Sequence, residues 1–174
     1  MNKDFEAWVK QCSEKFKRRQ DQYFKHLNKK DLDLIILKGH LIVEQRINEA
    51  FEKKLKPNLL KRVKDLRFSI PTKLVFLQAM GNFDKTFDHF FEAVEKLNNL
   101  RNKMAHNLEC PKIEDQAKEI LSLMYKGECL NKRFQKYSLI YQLKRAIILI
   151  AEMASLPSLT FPNCGIQLND KIPK

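Results

Sequence analysis

The sequence predicts an all-α protein, a bundle of about six or seven helices. Helix breakers are scarce, with Gly at 4 and Pro at 6 in 174 residues, while the good helix formers Leu, Lys and Glu are abundant. Apolar side chains recur at three-and-four spacing, the period of a helix with one buried face. No stretch shows the alternation of a half-buried strand.

The elements follow in order. Residues 3 to about 28 read as a first helix, with Phe5, Trp8, Val9, Cys12, Phe16, Tyr23, Phe24 and Leu27 on one side and Lys15, Lys17, Arg18, Arg19 and Lys25 on the other. Asp31 or Asp33 caps a second helix to about Lys54. Its seam reads Leu34, Leu37, Leu41, Glu44, Asn48, Phe51 and Leu55. A carboxylate on such a seam is costly to bury unpaired, so Glu44 needs a partner or a cleft, and His40 one turn earlier is a candidate. Pro57 breaks the chain, and a short helix fits about Asn58 to Leu66. Ser69 and Pro71 read as an N-cap and a first-turn proline opening a helix to about Met80, ended by Gly81-Asn82.

A central helix follows from about Asp84 to Asn107, with Phe87, Phe90, Phe91, Val94, Leu97, Leu100, Met104 and Leu108 as its apolar face. Then come a helix over about Ile113 to Tyr125, a basic loop from Gly127 to Arg133, and a strongly apolar helix from about Phe134 to Ser155 that should be deeply buried. Residues 1–155 make one domain, long enough to bury a core, and 156–174, with three prolines and a glycine, read as an irregular tail.

The formal net charge is +12. Such a balance favours polyanionic partners, although a solvated lysine-rich surface gives the same total. The densest positive patch spans Lys53, Lys54, Lys56, Lys61, Arg62, Lys64 and Arg67 against a lone Asp65. Four cysteines, at 12, 110, 129 and 164, lack C-x-x-C spacing and zinc-ligand histidines, so neither a metal nor another cofactor is expected. The N-terminus has no apolar signal core, and no apolar run is long enough to span a bilayer. A reducing cytoplasm and no membrane association are the expectations. Phosphate loops, dinucleotide fingerprints, H-E-x-x-H and G-x-S-x-G are absent from the sequence.

One constellation stands out. Continuing the seam Phe90, Val94, Leu97 by one helical step reaches Arg101, a guanidinium that keeps its charge and must meet a carboxylate, a phosphate or water. A polar stripe, Glu92, Glu95, Asn99, Asn102 and His106, runs beside it. Asn102, one turn before His106, can fix its ring. Residues five apart on a helix point roughly 140° apart, so Arg101 and His106 are not stacked on one line. Imidazole and guanidinium suffice for RNA cleavage without metal. The histidine moves the proton of a ribose 2′-hydroxyl or of the leaving oxygen, and the arginine meets the charge growing on the phosphate.

Residues 100 to 108, Leu-Arg-Asn-Lys-Met-Ala-His-Asn-Leu, resemble the signature of the HEPN domain superfamily: an Arg, a polar residue, three further residues and a His. Arg101, Asn102 and His106 fill those positions, and Lys-Gly-His-Leu-Ile-Val-Glu-Gln, 38 to 45, is similar to the second helix of many members. The resemblance covers roughly residues 30 to 125. It implies a helical bundle that dimerises, joining two motifs across a two-fold axis. It also implies metal-independent endoribonuclease activity that leaves a cyclic phosphate, in a toxin–antitoxin or antiphage-defence setting with an antitoxin or defence partner. Arg101 and His106 are then catalytic, with Asn102 as orienter. Glu44 joins them from the seam argument, and Lys53, Lys54, Lys61, Arg62, Lys64 and Arg67 form the RNA-binding patch. Inactive members also exist, so a non-catalytic helical adaptor or nucleic-acid-binding module is the competing expectation. In that reading Arg101 is structural, paired with Glu44 or a neighbouring acid, and the positive segments 53–67 and 126–145 bind polyanions.

Overall fold

A computed structural model describes residues 3–28, 30–56, 58–59, 61, 68–80, 87–107 and 111–154, with the backbone alone for 3–9. Among the described residues it is entirely helical: α1 (Lys3–His26), α2 (Leu32–Lys54), α3 (Ile70–Met80), α4 (Asp88–His106), α5 (Ile113–Lys126), a 3-10 turn (Lys132–Lys136) and α6 (Leu139–Met153). The all-α bundle is as the sequence predicts. The tail, the Gly81-Asn82 stop and Arg62, Lys64 and Arg67 of the basic patch lie outside the described residues, as does most of the short helix after Pro57, of which Asn58, Leu59 and Lys61 are helical.

Local chemistry sets the boundaries. Asp31 Oδ1 accepts the backbone N–H groups of Asp33 at 2.9 Å and Leu34 at 3.2 Å, satisfying two of the orphan donors that open α2. Ser69 Oγ accepts from Thr72 N at 3.3 Å and opens α3 in the same way. The last helix starts later than Phe134, because two caps compete there. Asn131 Oδ1 takes Arg133 N and closes the 3-10 turn around buried Phe134, whereas Ser138 Oγ takes Tyr141 N and opens α6.

The core lies where α2 and α6 meet, with α4 and α5 packed beside them and α3 against α2. From Arg145 to Met153 every residue of α6 is buried, as is its C-cap Ala154. Gly39 permits the close approach of α2, since a Cβ there would lie 2.4 Å from Ile147 Cδ1. The buried face of α2 is Ile35, Ile36, Gly39, His40, Val43, Arg46, Ile47, Ala50 and Phe51. This corrects the seam read from Leu34, Leu37 and Leu41: Leu34 and Leu41 are exposed. Apolar residues occur on all sides of the first half of α2, so periodicity underdetermines its inward face.

Charges are also built into the core. Glu152, 3% exposed, receives Arg19 of α1 through two hydrogen bonds, at 2.7 and 3.0 Å. Buried Arg46 pairs with Glu49 one turn on. Arg145 is buried among aromatic rings, with its guanidinium 4.7 Å from the centroid of Phe24, 5.4 Å from Tyr141 and 5.5 Å from Phe134. Its Nε donates to the Tyr141 hydroxyl.

Candidate functional site at the α2–α4 contact

The C-terminal half of α4 lays Asn98, Arg101 and Asn102 on one side, at three-and-four spacing. The middle of α2 faces it with His40 and Glu44. Imidazole Nε2 of His40 meets Asn98 Oδ1 at 3.1 Å, joining the two helices. With that oxygen on the ring, the bonding tautomer donates from Nε2 and leaves Nδ1 bare. Nδ1 is buried, has no hydrogen-bond partner among the described residues, and lies 3.8 Å from Glu44 Oε2, too far for a hydrogen bond.

Burial is the largest influence on His40 and pushes its pKa below the ordinary value. The Asn98 bond and Glu44 act against it, and the nearby Arg101 charge adds to it. The ring is therefore neutral at neutral pH, held between a carboxylate and a guanidinium. Arg101 is half-buried and its Nη1 donates to Asn102 Oδ1 at 3.2 Å.

The structure thus brings Glu44, Arg101 and Asn102 into one polar strip, linked through His40 and Asn98. It places His106 apart, exposed in the final turn of α4. Three expectations change. Arg101 borders the apolar seam, because Leu100, 1% exposed, continues it. Asn102 bonds the guanidinium and not the His106 ring. Glu44 retains 37% of its side-chain exposure and faces His40, so the expected Arg101–Glu44 pair does not form. Asn98 was missed in the sequence, although it stands one turn before both Arg101 and Asn102.

Two depressions open near this region, one bordering the strip at Glu44 and one on the α5 side of α4. One, of about 390 Å³, follows α2 past Glu44, Glu49 and Glu52. Cations accompany these carboxylates: Arg46 pairs with Glu49, and Lys73 Nζ donates to Asn48 Oδ1 in the lining at 2.7 Å. The other, of about 580 Å³, opens at the end of α4 against α5, lined by Lys103, Asn107, Lys112, Asp115 and Gln116. Lys103 Nζ donates to Gln116 Oε1 across it. Lys53, Lys54 and Lys61 are exposed. Lys53 lies nine residues beyond Glu44, or about 14 Å along the helix at its 1.5 Å rise per residue. Lys53 is therefore set off along α2 from the strip.

No group of three or more His, Cys, Asp or Glu side chains that could hold a metal occurs among the described residues. No helix among them is long and apolar enough to cross a membrane. No family model, curated protein or solved structure matches the chain. The class that fold and site define is an all-α bundle with a polar strip linking its second and fourth helices, beside an exposed terminal histidine.

Proposed function

We propose that this protein is a metal-independent endoribonuclease of the HEPN type, acting as a toxin or antiphage-defence effector with a site shared between two copies of the chain. The observation that carries the reading is the Arg101–Asn102 pair at the end of α4, with a half-buried guanidinium and an accessible imidazole one turn further on. His106 takes the proton of a ribose 2′-hydroxyl. The 2′-oxygen attacks phosphorus, the bond to the 5′-oxygen breaks, and that oxygen leaves with a proton, giving a 2′,3′-cyclic phosphate. Arg101 meets the negative charge that builds on the phosphate oxygens. The angular separation of Arg101 and His106 favours a second copy that completes the cleft. Exposed Leu34 and Leu41 on α2, beside His40 and Glu44, offer it an apolar face.

The test is RNA cleavage in EDTA. His106→Ala lowers the rate by about 10²–10⁴-fold, the usual weight of a general acid or base. Arg101→Ala abolishes turnover and lowers stability by about 1 kcal/mol or less, since it removes one half-exposed hydrogen bond. Unchanged cleavage in either variant removes the assignment. A second reading, a non-catalytic adaptor, draws on the His40–Asn98 bond and the Arg101 charge beside it, which together read as an interhelical fastening. A large loss of melting temperature in Arg101→Ala, without any product from the parent protein, favours that reading.

A further inference from the structure

A separate depression of about 690 Å³ lies on the far side of α5, bounded by the 3-10 turn and the start of α6. Its volume falls within the range of about 300–1,000 Å³ typical of small-ligand sites. Its charged lining is Lys118, Lys126 and Lys132 against Glu128. Lys126 and Lys132 make no ion pair with a described residue, and Lys118 has only an exposed contact with Asp115 at 3.4 Å. An exposed pair of that kind holds a lysine weakly.

The floor is fixed. Gln142 donates from Nε2 to the Tyr137 carbonyl at 2.7 Å and the Gln135 carbonyl at 3.3 Å. Its Oε1 accepts the Tyr125 hydroxyl at 2.9 Å. One amide thus ties the turn to α5 and locks the half-exposed Tyr125 ring in the lining. Flat rings beside mobile cations are the elements from which single-strand sites are made: bases stack on the ring and phosphates follow the cations.

We propose that this cleft binds single-stranded nucleic acid, with its phosphates on Lys118, Lys126 and Lys132 and a base against Tyr125. The site does not depend on whether Arg101 and His106 cleave RNA. It differs from the segment 53–67 by combining an aromatic ring with its cations.

The test is fluorescence anisotropy on the full chain with a single-stranded 2′-O-methyl RNA of about ten nucleotides, within the span such sites cover. The methyl groups remove the nucleophile, so binding is read without cleavage and a failed nuclease assay leaves the result intact. Lys126→Glu with Lys132→Glu weakens binding about tenfold or more and lowers the slope of log affinity against log salt by about 0.7 for each phosphate no longer neutralised. Lys126→Arg with Lys132→Arg retains it. Tyr125→Leu weakens binding about fivefold or more through the missing stacking surface. Tyr125→Phe keeps the ring and most of the affinity. The proposal is overturned if the charge reversals leave affinity within about twofold, or if Lys15→Glu with Lys17→Glu on α1 weakens it equally, since attraction by net charge alone would do that. Equal affinity for a duplex of the same sequence also overturns it, because a paired base cannot reach the ring.

Discussion

Gly39→Ala tests the close contact of α2 with α6, on which the position of His40 depends. In an exposed helix the change would stabilise by about 0.8–1 kcal/mol through helix propensity. Here the new Cβ meets Ile147 Cδ1 at 2.4 Å, Cγ2 at 3.0 Å and Cγ1 at 3.1 Å. Ile147 is fully buried, so its branch atoms have nowhere to retreat without disturbing other core side chains. Overpacking of this kind costs about 1–3 kcal/mol. Set against the propensity gain, the net loss is about 1 kcal/mol, or roughly 3 °C in Tm for a chain of this length. Ile147→Val removes the nearest atom, Cδ1, and alone costs about 1 kcal/mol as a small cavity. Together the two changes relieve each other, and the double variant is more stable than the sum of the singles by about 1 kcal/mol. Urea unfolding of the four proteins measures this. If Gly39→Ala stabilises the protein, or the two changes add within about 0.4 kcal/mol, the steric account of this glycine is wrong.

Three further outcomes are expected. Arg19→Ala strips buried Glu152 of its two hydrogen bonds and costs about 3 kcal/mol, near 10 °C in a thermal melt, with part recovered by adding Glu152→Gln; a drop below about 3 °C would show the pair to be a solvated one. The folded-state pKa of His40 lies below its unfolded value, so its contribution is complete above about pH 6.5 and is lost as pH falls through the folded pKa. The Tm gap between wild type and His40→Gln therefore narrows on acidification, and a gap independent of pH refutes this. Glu128, with φ at 54°, occupies the left-handed region that side chains resist, so Glu128→Gly raises stability by about 1 kcal/mol, read in the same unfolding assay, while an unchanged midpoint would show no strain there.

The sequence showed most elements because their signals are local. Asp31 and Ser69 cap the helices they were expected to cap, and the α4 pattern buries Phe90, Phe91, Val94 and Leu97. What it hid depends on partners. The inward face of α2 is chosen by what packs against it, and Gly39 was the one local clue to the close side. Asn98 was one amide among several on a polar flank until His40 arrived from another helix. The Arg19–Glu152 pair joins residues 133 apart in sequence, beyond any periodicity.

The ring cluster around Arg145 has a mechanical consequence. Phe24, Phe134 and Tyr141 come from α1, the 3-10 turn and α6, and all three rest on one guanidinium. That group acts as a keystone, and a lysine would not replace it, because a compact ammonium lacks the planar, weakly hydrated guanidinium that sits among these rings and donates to the Tyr141 hydroxyl. Its removal would loosen two seams together, α6 against α1 and α6 against the turn, and amide hydrogen exchange would rise in α1 and in the turn at once. The 3-10 turn is also one wall of the lysine-lined cleft, so the seating of α1 and the shape of that cleft are set by the same side chain.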